Sequence, residues 1–351
     1  MKSRESRKLD HIKYAIRLDD GPYATGFSDV HLFHNCLPET DRSKVSLEVE
    51  LPGVGVLPHP IVINAITGGA ASVKSINRSL AETAAQAHCV MAVGSQFGAV
   101  RKGQHADTFQ VVREVYPDGI FFANLSAFAT VDDVRRAAEM IGARAIQIHL
   151  NAAQELAMEE GDRDFSSCLK NIETICAHAE LPVIVKETGC GMAREQAKQL
   201  RDCGVAILDI GGAGGTNFPA IEHCRYAAGN AELGTWGIPT ALSLLEVVPV
   251  MGWQHGIIAS GGIRTALDVV KAQVLGASAA AMAGNILRVV LKHGSEEAAG
   301  RILRCLENIK DFYVLLGCQN AAQLRRARYW LTGAMAEAVR SLEHVPDNTI
   351  K

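Results

Sequence analysis

Four polar residues lie close together in the middle of the sequence, in the stretch QIHLNAAQELAMEEGDRDF. They are His149, Asn151, Gln154 and Glu155. The carboxylate of Glu155 could hold magnesium, because Mg²⁺ prefers oxygen ligands and keeps coordination positions for water or for the phosphates of a substrate. A single His or Glu is as often a structural hydrogen-bonding residue. The cluster as a whole, rather than any one member, therefore predicts a reactive site.

Lys186 ends an otherwise apolar segment, PVIVK. An ammonium group in such a place needs an anionic or polar partner, because burying an unpaired charge is costly. The partner is either a bound ligand or an acidic neighbour such as Glu187. Adjacent residues of a strand point to opposite faces, which argues against Glu187. The predicted partner of Lys186 is therefore a bound ligand or another neighbouring residue.

Three glycine-rich segments occur in the second half of the chain: GGAGGTNF from Gly211, SGGIR from Ser260 and MAG from Met282. Glycine lets backbone N–H groups approach an anion, and in parallel barrels the turns after the last two strands commonly bind phosphate. Thr216 adds a hydroxyl that can bond a phosphate oxygen. Each segment alone is also explained by a tight turn. Together they predict a phosphate-bearing cofactor.

These residues sit within a repeated pattern of short apolar runs and longer segments of helical period, which predicts alternating strands and helices. Runs that are apolar throughout, such as Ile61–Ile63 and Val183–Val185, suit strands buried on both faces. The candidate side chains end or follow such runs, where a parallel barrel carries its active site. Eight strands are predicted: Ile61–Asn64, Val90–Val93, Gly119–Ala123, Ala145–His149, Val183–Lys186, Ala206–Ile210, Gly256–Ala259 and Ala279–Met282.

We therefore predict an α/β fold, a (β/α)8 TIM barrel, as a single domain over residues 1–351. Residues 1–58 form an N-terminal extension without the repeat, residues 59–284 the barrel core, and residues 285–351 a C-terminal helical segment. An open, doubly wound sheet is the alternative that strand counting leaves. The C-terminal helical segment favours a homo-oligomer, a tetramer or octamer.

Composition narrows the class of protein. Hydrophobic residues make up 48% and charged residues 21% of the chain, the balance of a globular protein with a large core. The formal net charge of -3 argues against a surface that coats nucleic acid. Nine cysteines without a C-x-x-C pair predict a reducing, cytoplasmic setting. No apolar run reaches the roughly 18 residues of a membrane-spanning helix.

From Arg7 to about Gly284 the sequence resembles the type 2 isopentenyl-diphosphate isomerases, which are FMN-dependent. The most specific match is QIHLN-x-x-QE with the following EGDR, because other flavin-binding barrels share the glycine turns but not this segment. The sequence departs from the family pattern at Asp10 (commonly Glu), Ile66 (Met), Glu159 (Pro) and Thr188 (aliphatic), positions concerned with packing more than with reacting groups. Further matching segments are RKLDHI, FSDVHLFHNCLPE, INAITGG, AVGSQ, ANL, PVIVKETGCGM, GGAGGTNF, WGIPT and ASGGIR.

The resemblance implies FMN, Mg²⁺ and NADPH as cofactors and one substrate, together with the residues that bind FMN, Mg²⁺ and the substrate. NADPH would serve as the reductant of the flavin, and Glu155 would bind Mg²⁺. The residues implied to hold FMN are Ile66, Thr67, Gly68, Ser95, Asn124, Lys186, Thr216, Gly261, Gly262, Arg264, Ala283 and Gly284. Those implied to bind the small-molecule substrate, isopentenyl diphosphate, are Arg7, Lys8, His11, Ser95, Arg101, Asn151 and Gln154.

The resemblance also implies the reaction, a 1,3-allylic double-bond shift that yields dimethylallyl diphosphate. One carbon gains a proton and another loses one, without net redox change, and reduced flavin would carry the proton. The catalytic side chains would be Gln154, Lys186 and His149. Lys186 near the flavin N1 would favour the anionic reduced form by Coulomb attraction. Gln154 would relay a proton or orient the substrate, because an amide is a poor base.

The sequence leaves two alternative functions open. An FMN-dependent oxidoreductase on the same barrel, acting on a small hydroxy acid, needs a His and Arg pair around strand six, where this sequence has GGAGGTNF. A non-catalytic flavin-binding protein would keep the barrel and have lost the reaction. The presence of Arg7, Gln154, Glu155 and Lys186 argues against that second alternative.

Overall fold

A computed structural model of the protein describes residues 4–252 and 254–342, with side chains from residue 10 onward. Most of this part of the chain alternates between strands and helices. The strands in it are β1 (Val30–Leu32), β2 (Val49–Leu51), β3 (Gly55–Leu57), β4 (Ile61–Ile63), β5 (Val90–Ala92), β6 (Phe121–Ser126), β7 (Ala145–Leu150), β8 (Val183–Glu187), β9 (Ile207–Asp209), β10 (Gly256–Ala259), β11 (Ala279–Met282) and β12 (Tyr329–Leu331).

Eight of these strands, β4 to β11, form a closed parallel barrel in chain order, and β11 pairs with β4 to close it. Each overlaps one of the predicted strands. The predicted (β/α)8 barrel is therefore confirmed, and the open doubly wound sheet is excluded because the barrel has no free edge.

Helices connect the strands and cover the barrel. The two ends of α5 are fixed by its sequence. Thr130 and Asp133 form a capping box at its beginning, and Gly142 follows its end at φ 59°, where glycine is favoured. The helices are α1 (Arg4–Arg17), α2 (Lys74–Ala87), α3 (Phe97–Lys102), α4 (Asp107–Val115), α5 (Val131–Ile141), α6 (Ala152–Ala157), α7 (Cys168–His178), α8 (Arg194–Asp202), α9 (Phe218–Arg225), α10 (Thr240–Met251), α11 (Ala266–Val274), α12 (Gly284–Leu315), α13 (Ala321–Leu324) and α14 (Gly333–Leu342).

The antiparallel hairpin β2–β3 closes one end of the barrel. Its buried Leu51 and Leu57 belong to one apolar cluster with barrel residues such as Phe122 and Ile184. Arg144, directly before β7, donates a hydrogen bond from Nη2 to the Val54 carbonyl in this hairpin (3.1 Å). The hairpin therefore lies at the N-terminal ends of the strands, which leaves the C-terminal ends as the mouth of the barrel.

The N-terminal extension reaches the mouth through helix α1, which sequence analysis did not predict. Helix α1 contacts α9 and α12, and these helices directly follow β9 and β11. Strand β1 pairs with β12 in an antiparallel ladder, so the extension is also joined to the C-terminal segment, which contains this strand besides its helices. Among the described residues, no helix has the length and apolar character needed to cross a membrane.

Candidate active site

Side chains inside the barrel form two layers, because residues two apart on a strand share a face. The lower layer is apolar and consists of Val62, Phe122, Ala145, Ile184, Ile207 and Ile258. Two positions further along each of these strands stands a polar residue: Asn64, Asn124, Gln147, Lys186, Asp209 and Ser260. The polar layer therefore lies toward the mouth, where barrel enzymes carry their chemistry.

Five polar side chains form one hydrogen-bonded chain across this layer. Asn64 Nδ2 donates to Asp209 Oδ2 (2.7 Å), and Gln147 Nε2 donates to Asn64 Oδ1 (3.0 Å). Asn124 Nδ2 donates to Gln147 Oε1 (2.9 Å), and His149 Nδ1 lies 2.9 Å from Asn124 Oδ1. Asn64, Asn124, Gln147 and Asp209 are all buried. The chain thus satisfies groups that would otherwise be costly to bury.

Lys186 lies next to the Asp209 end of this chain. Its Nζ is 3.7 Å from Asp209 Oδ2 and donates to the backbone carbonyl of Glu187 (2.8 Å). The Glu187 carboxylate turns away and accepts from the backbone N–H groups of Gly189 (2.6 Å) and Gly191 (3.1 Å). As strand alternation predicted, Lys186 does not pair with the Glu187 carboxylate; its acidic neighbour is Asp209.

His149 stands at the other end of the chain as a neutral imidazole. Burial, and after it the positive charge of Lys186, lowers the pKa of His149 to about 4, against the opposing effect of the Leu125 carbonyl. At physiological pH the ring therefore carries one proton, not two. It acts as a single donor and a single acceptor.

A second polar cluster surrounds Glu222, which is fully buried in α9. His11 Nε2 lies 2.6 Å from Glu222 Oε1, and Gln154 Nε2 donates to the same oxygen (2.9 Å). Arg225 pairs with the other oxygen. Burial raises the pKa of Glu222, but the hydrogen bonds of His11 and Gln154 and the charge of Arg225 outweigh it and hold the pKa below its usual range. Glu222 thus brings two of the predicted residues, His11 and Gln154, together as a carboxylate.

Glu155 lies one residue beyond Gln154, in α6. Asn151 Nδ2 donates to Glu155 Oε1 (2.8 Å), and the backbone N–H of Asp162 donates to Oε2 (3.0 Å). Each oxygen therefore keeps lone pairs for a cation. Within the part of the chain whose side chains are described, no three His, Cys, Asp or Glu residues are grouped as a metal site. The donor set fits Mg²⁺ held by one carboxylate together with water and phosphate oxygens.

The glycine turns after β9, β10 and β11 come together with Thr216 and two arginines. A Cβ on Gly284 would stand 3.1 Å from Thr216 Oγ1 and 3.9 Å from Arg288 Nη1, so glycine keeps open a space that a side chain would fill. Ala283 precedes this glycine. In the other turn, a Cβ on Gly261 or Gly262 would stand only 2.1 or 2.0 Å from a backbone oxygen of the β9 turn. The open space beside Thr216 and Arg288 fits a phosphate group.

Asp20 bridges the two arginines of this region. Arg288 Nη2 donates to Asp20 Oδ1 (2.8 Å) and to the Ala15 carbonyl (3.0 Å), and Arg264 pairs with Asp20 Oδ2. Burial raises the pKa of Asp20, but hydrogen bonds from Arg288 and Arg264 outweigh it and hold the pKa below its usual range. The end of α1 is thus tied to the glycine turns through a carboxylate.

The loops after β4 and β5 carry the remaining residues of the implied flavin site. The Gly94 N–H donates to the Thr67 carbonyl (3.1 Å), so Ile66 and Thr67 of one loop lie beside Ser95 of the other. A Cβ on Gly68 would stand 2.0 Å from the Phe109 ring. Gly68 is therefore required by packing against Phe109, whatever it contacts in a ligand.

Arg101 is engaged away from the two polar clusters. Its Nη2 donates to Asp133 (2.8 Å) and to the Phe128 carbonyl (3.3 Å), and its guanidinium lies 4.0 Å from the centre of the Phe97 ring. An incoming diphosphate would compete with Asp133 for this cation. The side chains of Arg7 and Lys8 lie outside the described residues, although helix α1, which carries them, contacts α9 and α12 at the mouth.

Sequence reasoning missed several residues of this site. Three of them, Asn64, Gln147 and Asp209, lie two positions beyond an interior apolar residue on their strands, so the period-2 pattern was the available signal. Asp20, Glu222 and Arg288 gave no such signal, because their partners are distant in sequence.

Comparisons with known proteins show which family this chain resembles. Residues 123–331 match the model of the FMN-dependent dehydrogenase family. An isopentenyl-diphosphate delta-isomerase of Geobacillus sp. (strain WCH70) is 43% identical over 94% of this chain and 96% of its own. That of Symbiobacterium thermophilum is 41% identical over 97% of this chain and 96% of its own. A crystal structure of mandelate oxidase covers 93% of this chain and 97% of its own at 18% identity and a TM-score of 0.65, a likeness in fold alone.

The family match spans more than half of the chain, and the relatives at about 40% identity cover nearly all of it. The segments that carry the specific resemblance, QIHLN and the QE that follows, lie inside the polar layer and the Glu222 cluster at the mouth. The chain therefore belongs to the FMN-dependent dehydrogenase family and, within it, to the type 2 isopentenyl-diphosphate delta-isomerases.

Proposed function

We propose that the protein converts isopentenyl diphosphate into dimethylallyl diphosphate with reduced FMN and Mg²⁺. The observation that carries the proposal is a hydrogen-bonded group at the end of β7, in which Gln154 bonds to Glu222, and Asn151 bonds to Gln154 and to Glu155. The same strand carries His149, at one end of the polar chain, and Lys186 lies beside Asp209 at the other end. Such a site offers a cation for an electron-rich ring, carboxylates for a metal and a proton, and amides that orient a substrate. The isomerase names of the relatives support it.

The residues at the mouth fit FMN. When bound, reduced flavin supplies an electron-rich ring that can exchange a proton with the substrate. Lys186 would stabilise negative charge on that ring, and Asn124 would hold the ring edge from the polar layer. Thr216, Gly284, Ala283 and the Gly261–Arg264 turn would bind the phosphate. Ile66, Thr67, Gly68 and Ser95 would form the opposite wall.

The substrate would lie between the ring and helix α1. Glu155, together with water, would hold Mg²⁺ against the diphosphate, and Arg7, Lys8, His11 and Arg101 would neutralise the remaining charge. Gln154, fixed by Glu222 and Asn151, would orient the reacting carbons and pass a proton. Closing the mouth with α1 would exclude water, which strengthens each of these interactions.

An anaerobic assay tests this function. Purified protein with FMN, NADPH, Mg²⁺ and isopentenyl diphosphate should form dimethylallyl diphosphate, and in D₂O the product should carry deuterium. Leaving out NADPH without another reductant, or adding EDTA, should abolish turnover. If no dimethylallyl diphosphate forms with the flavin visibly reduced, the isomerase proposal is wrong. Reduction of bound FMN by mandelate would instead support the hydroxy-acid oxidoreductase.

Asp20 leads to a prediction on cofactor affinity. Because the Asp20 carboxylate forms ion pairs with Arg264 and Arg288, it lowers the positive charge available to the flavin phosphate. Asp20→Asn should tighten FMN binding about tenfold, or ~1.4 kcal/mol, as measured by quenching of flavin fluorescence. Asp19→Asn is the matched control: this exposed neighbouring carboxylate adds only a weaker Coulomb attraction to Arg288, so its loss should change FMN binding less. Weaker binding in Asp20→Asn would mean that Asp20 chiefly positions the arginines.

We also propose a homo-oligomer, a tetramer or octamer, acting in the cytoplasm. Exposed aromatic residues on the β1–β12 ladder support association: Phe33 packs against Trp330, and Trp330 is 43% exposed. Sedimentation velocity of the wild type and of Trp330→Glu measures the oligomeric state of each. The wild type should sediment as a tetramer or octamer and the variant as a smaller species. A wild-type monomer at micromolar concentration would contradict it.

A further inference from the structure

Three amide side chains, Asn64, Gln147 and Asn124, link Asp209 to His149 in the polar layer. An amide donates at its nitrogen and accepts at its oxygen, so a row of amides has a direction. The direction decides whether the last amide offers an oxygen or an N–H group to the histidine. It therefore decides which ring nitrogen of His149 carries the proton.

The Asp209 end fixes the first amide. Asp209 Oδ2 lies 3.7 Å from the Lys186 ammonium, which can only donate, so this oxygen is an acceptor and Asn64 must turn its NH₂ toward it (2.7 Å). A second contact fixes the same orientation independently. The backbone N–H of Ala65, also only a donor, bonds to Asn64 Oδ1 (2.9 Å).

The orientation then passes along the row. Asn64 Oδ1 is an oxygen, so Gln147 must present its NH₂ to it (3.0 Å) and its oxygen to the next residue. Asn124 gives its NH₂ to that oxygen (2.9 Å), which leaves Asn124 Oδ1 to face His149. At 2.9 Å this oxygen needs a proton on His149 Nδ1. Gln147 is fully buried, so water does not interrupt the row.

We infer that Gln147 is a positioning residue that, through Asn124, holds His149 as the tautomer with its proton on Nδ1 and a lone pair on Nε2. The neutral state of the ring at physiological pH supports this assignment. Burial of the whole row favours one direction strongly, because reversal would oppose donor to donor at Asn64 and Ala65. Asn124 Oδ1 and the Leu125 carbonyl, which also acts on the ring, are both acceptors, so neither can supply the proton that Nδ1 needs.

The tautomer limits what His149 can bind. A nitrogen lone pair repels a phosphate oxygen and accepts a hydrogen bond from an N–H, O–H or water. If His149 acts on the substrate, as the catalytic role implied by the family resemblance requires, it accepts a hydrogen bond from a proton-bearing group there. His149 is then an acceptor and not a ligand of the diphosphate.

Nitrogen NMR of the holoenzyme, uniformly labelled at the histidine rings, tests the inference without substrate. His149, one of 12 histidines, is assigned by the signal missing from His149→Gln. The wild type should show a pyrrole-like Nδ1 and a pyridine-like Nε2 at neutral pH. The NMR experiment measures the chemical shift of a ring nitrogen and does not depend on the isomerase assay. The tautomer inference and the proposed function can therefore be contradicted separately.

Two variants break the row at different links. Gln147→Met frees Asn124 to turn over, and Asn64→Leu frees Gln147, so each should convert the single tautomer into a mixture. Ser260→Ala is the control, because it removes a hydrogen bond to Asp209 outside the row and should leave the tautomer unchanged. A proton on Nε2 in the wild type overturns the inference, and so does a folded Gln147→Met or Asn64→Leu protein with the wild-type tautomer.

Discussion

Replacing Lys186 by methionine should lower kcat/KM about 100-fold or more, the usual cost of removing one preorganised charge from an active site. Methionine keeps most of the side-chain volume and removes the ammonium group. Bound FMN should become harder to reduce, because the negative charge of its reduced form loses its cation. Redox titration of the bound flavin and steady-state kinetics measure the two effects.

The same substitution also leaves Asp209 buried without its cation, and breaking a buried pair costs about 3 kcal/mol or more. The double variant Lys186→Met/Asp209→Asn separates stability from function. It removes both charges, so it should regain most of the free energy of unfolding and none of the kcat/KM. A double variant that regains activity would show that Lys186 serves only to neutralise Asp209. Wild-type redox behaviour in the single variant would equally reject the flavin contact.

The barrel could be predicted because each strand is apolar where it is buried and each ends in glycine or polar residues. Val183–Val185 shows this in its simplest form. Interior polar residues were harder to recognise, because Gln147 and Asp209 stand within otherwise apolar runs and resemble exposed positions of an alternating strand. Only closure of the barrel places both faces of every strand in the protein interior. What then distinguishes the mouth is that polar side chains occupy interior positions toward the C-terminal ends of the strands.

Contacts between distant segments could not be predicted. Asp20 and Arg288 are 268 residues apart, and Glu222 reaches His11 across 211 residues, so no spacing rule connects them. Helix α1 was also missed, since its charged sequence has the composition of a solvated segment. Tertiary packing against α9 and α12 accounts for its place at the mouth. The family resemblance predicted a ligand role for His11, but not the buried carboxylate that holds it.

Replacing Glu155 by glutamine should lower activity about 100-fold at ordinary Mg²⁺ concentrations and raise the Mg²⁺ concentration needed for half-maximal activity, with FMN still bound. The amide keeps one acceptor oxygen and loses the negative charge that attracts the cation. It also sets an NH₂ group against either the Asn151 NH₂ or the Asp162 N–H, both donors in the wild type. Kinetics over a range of Mg²⁺ concentrations, together with flavin absorbance, measure the effect.

The matched control is Glu159→Gln, which removes an exposed carboxylate four positions further along the chain and should leave the Mg²⁺ requirement unchanged. It separates a ligand from the general negative charge of the segment. If Glu155→Gln kept the wild-type Mg²⁺ dependence, the metal would have to bind elsewhere. The two oxygens of Glu155 would then serve only to fix Asn151 and the Asp162 turn. Loss of FMN along with activity would point to that structural role as well, because a metal ligand alone should leave the flavin in place.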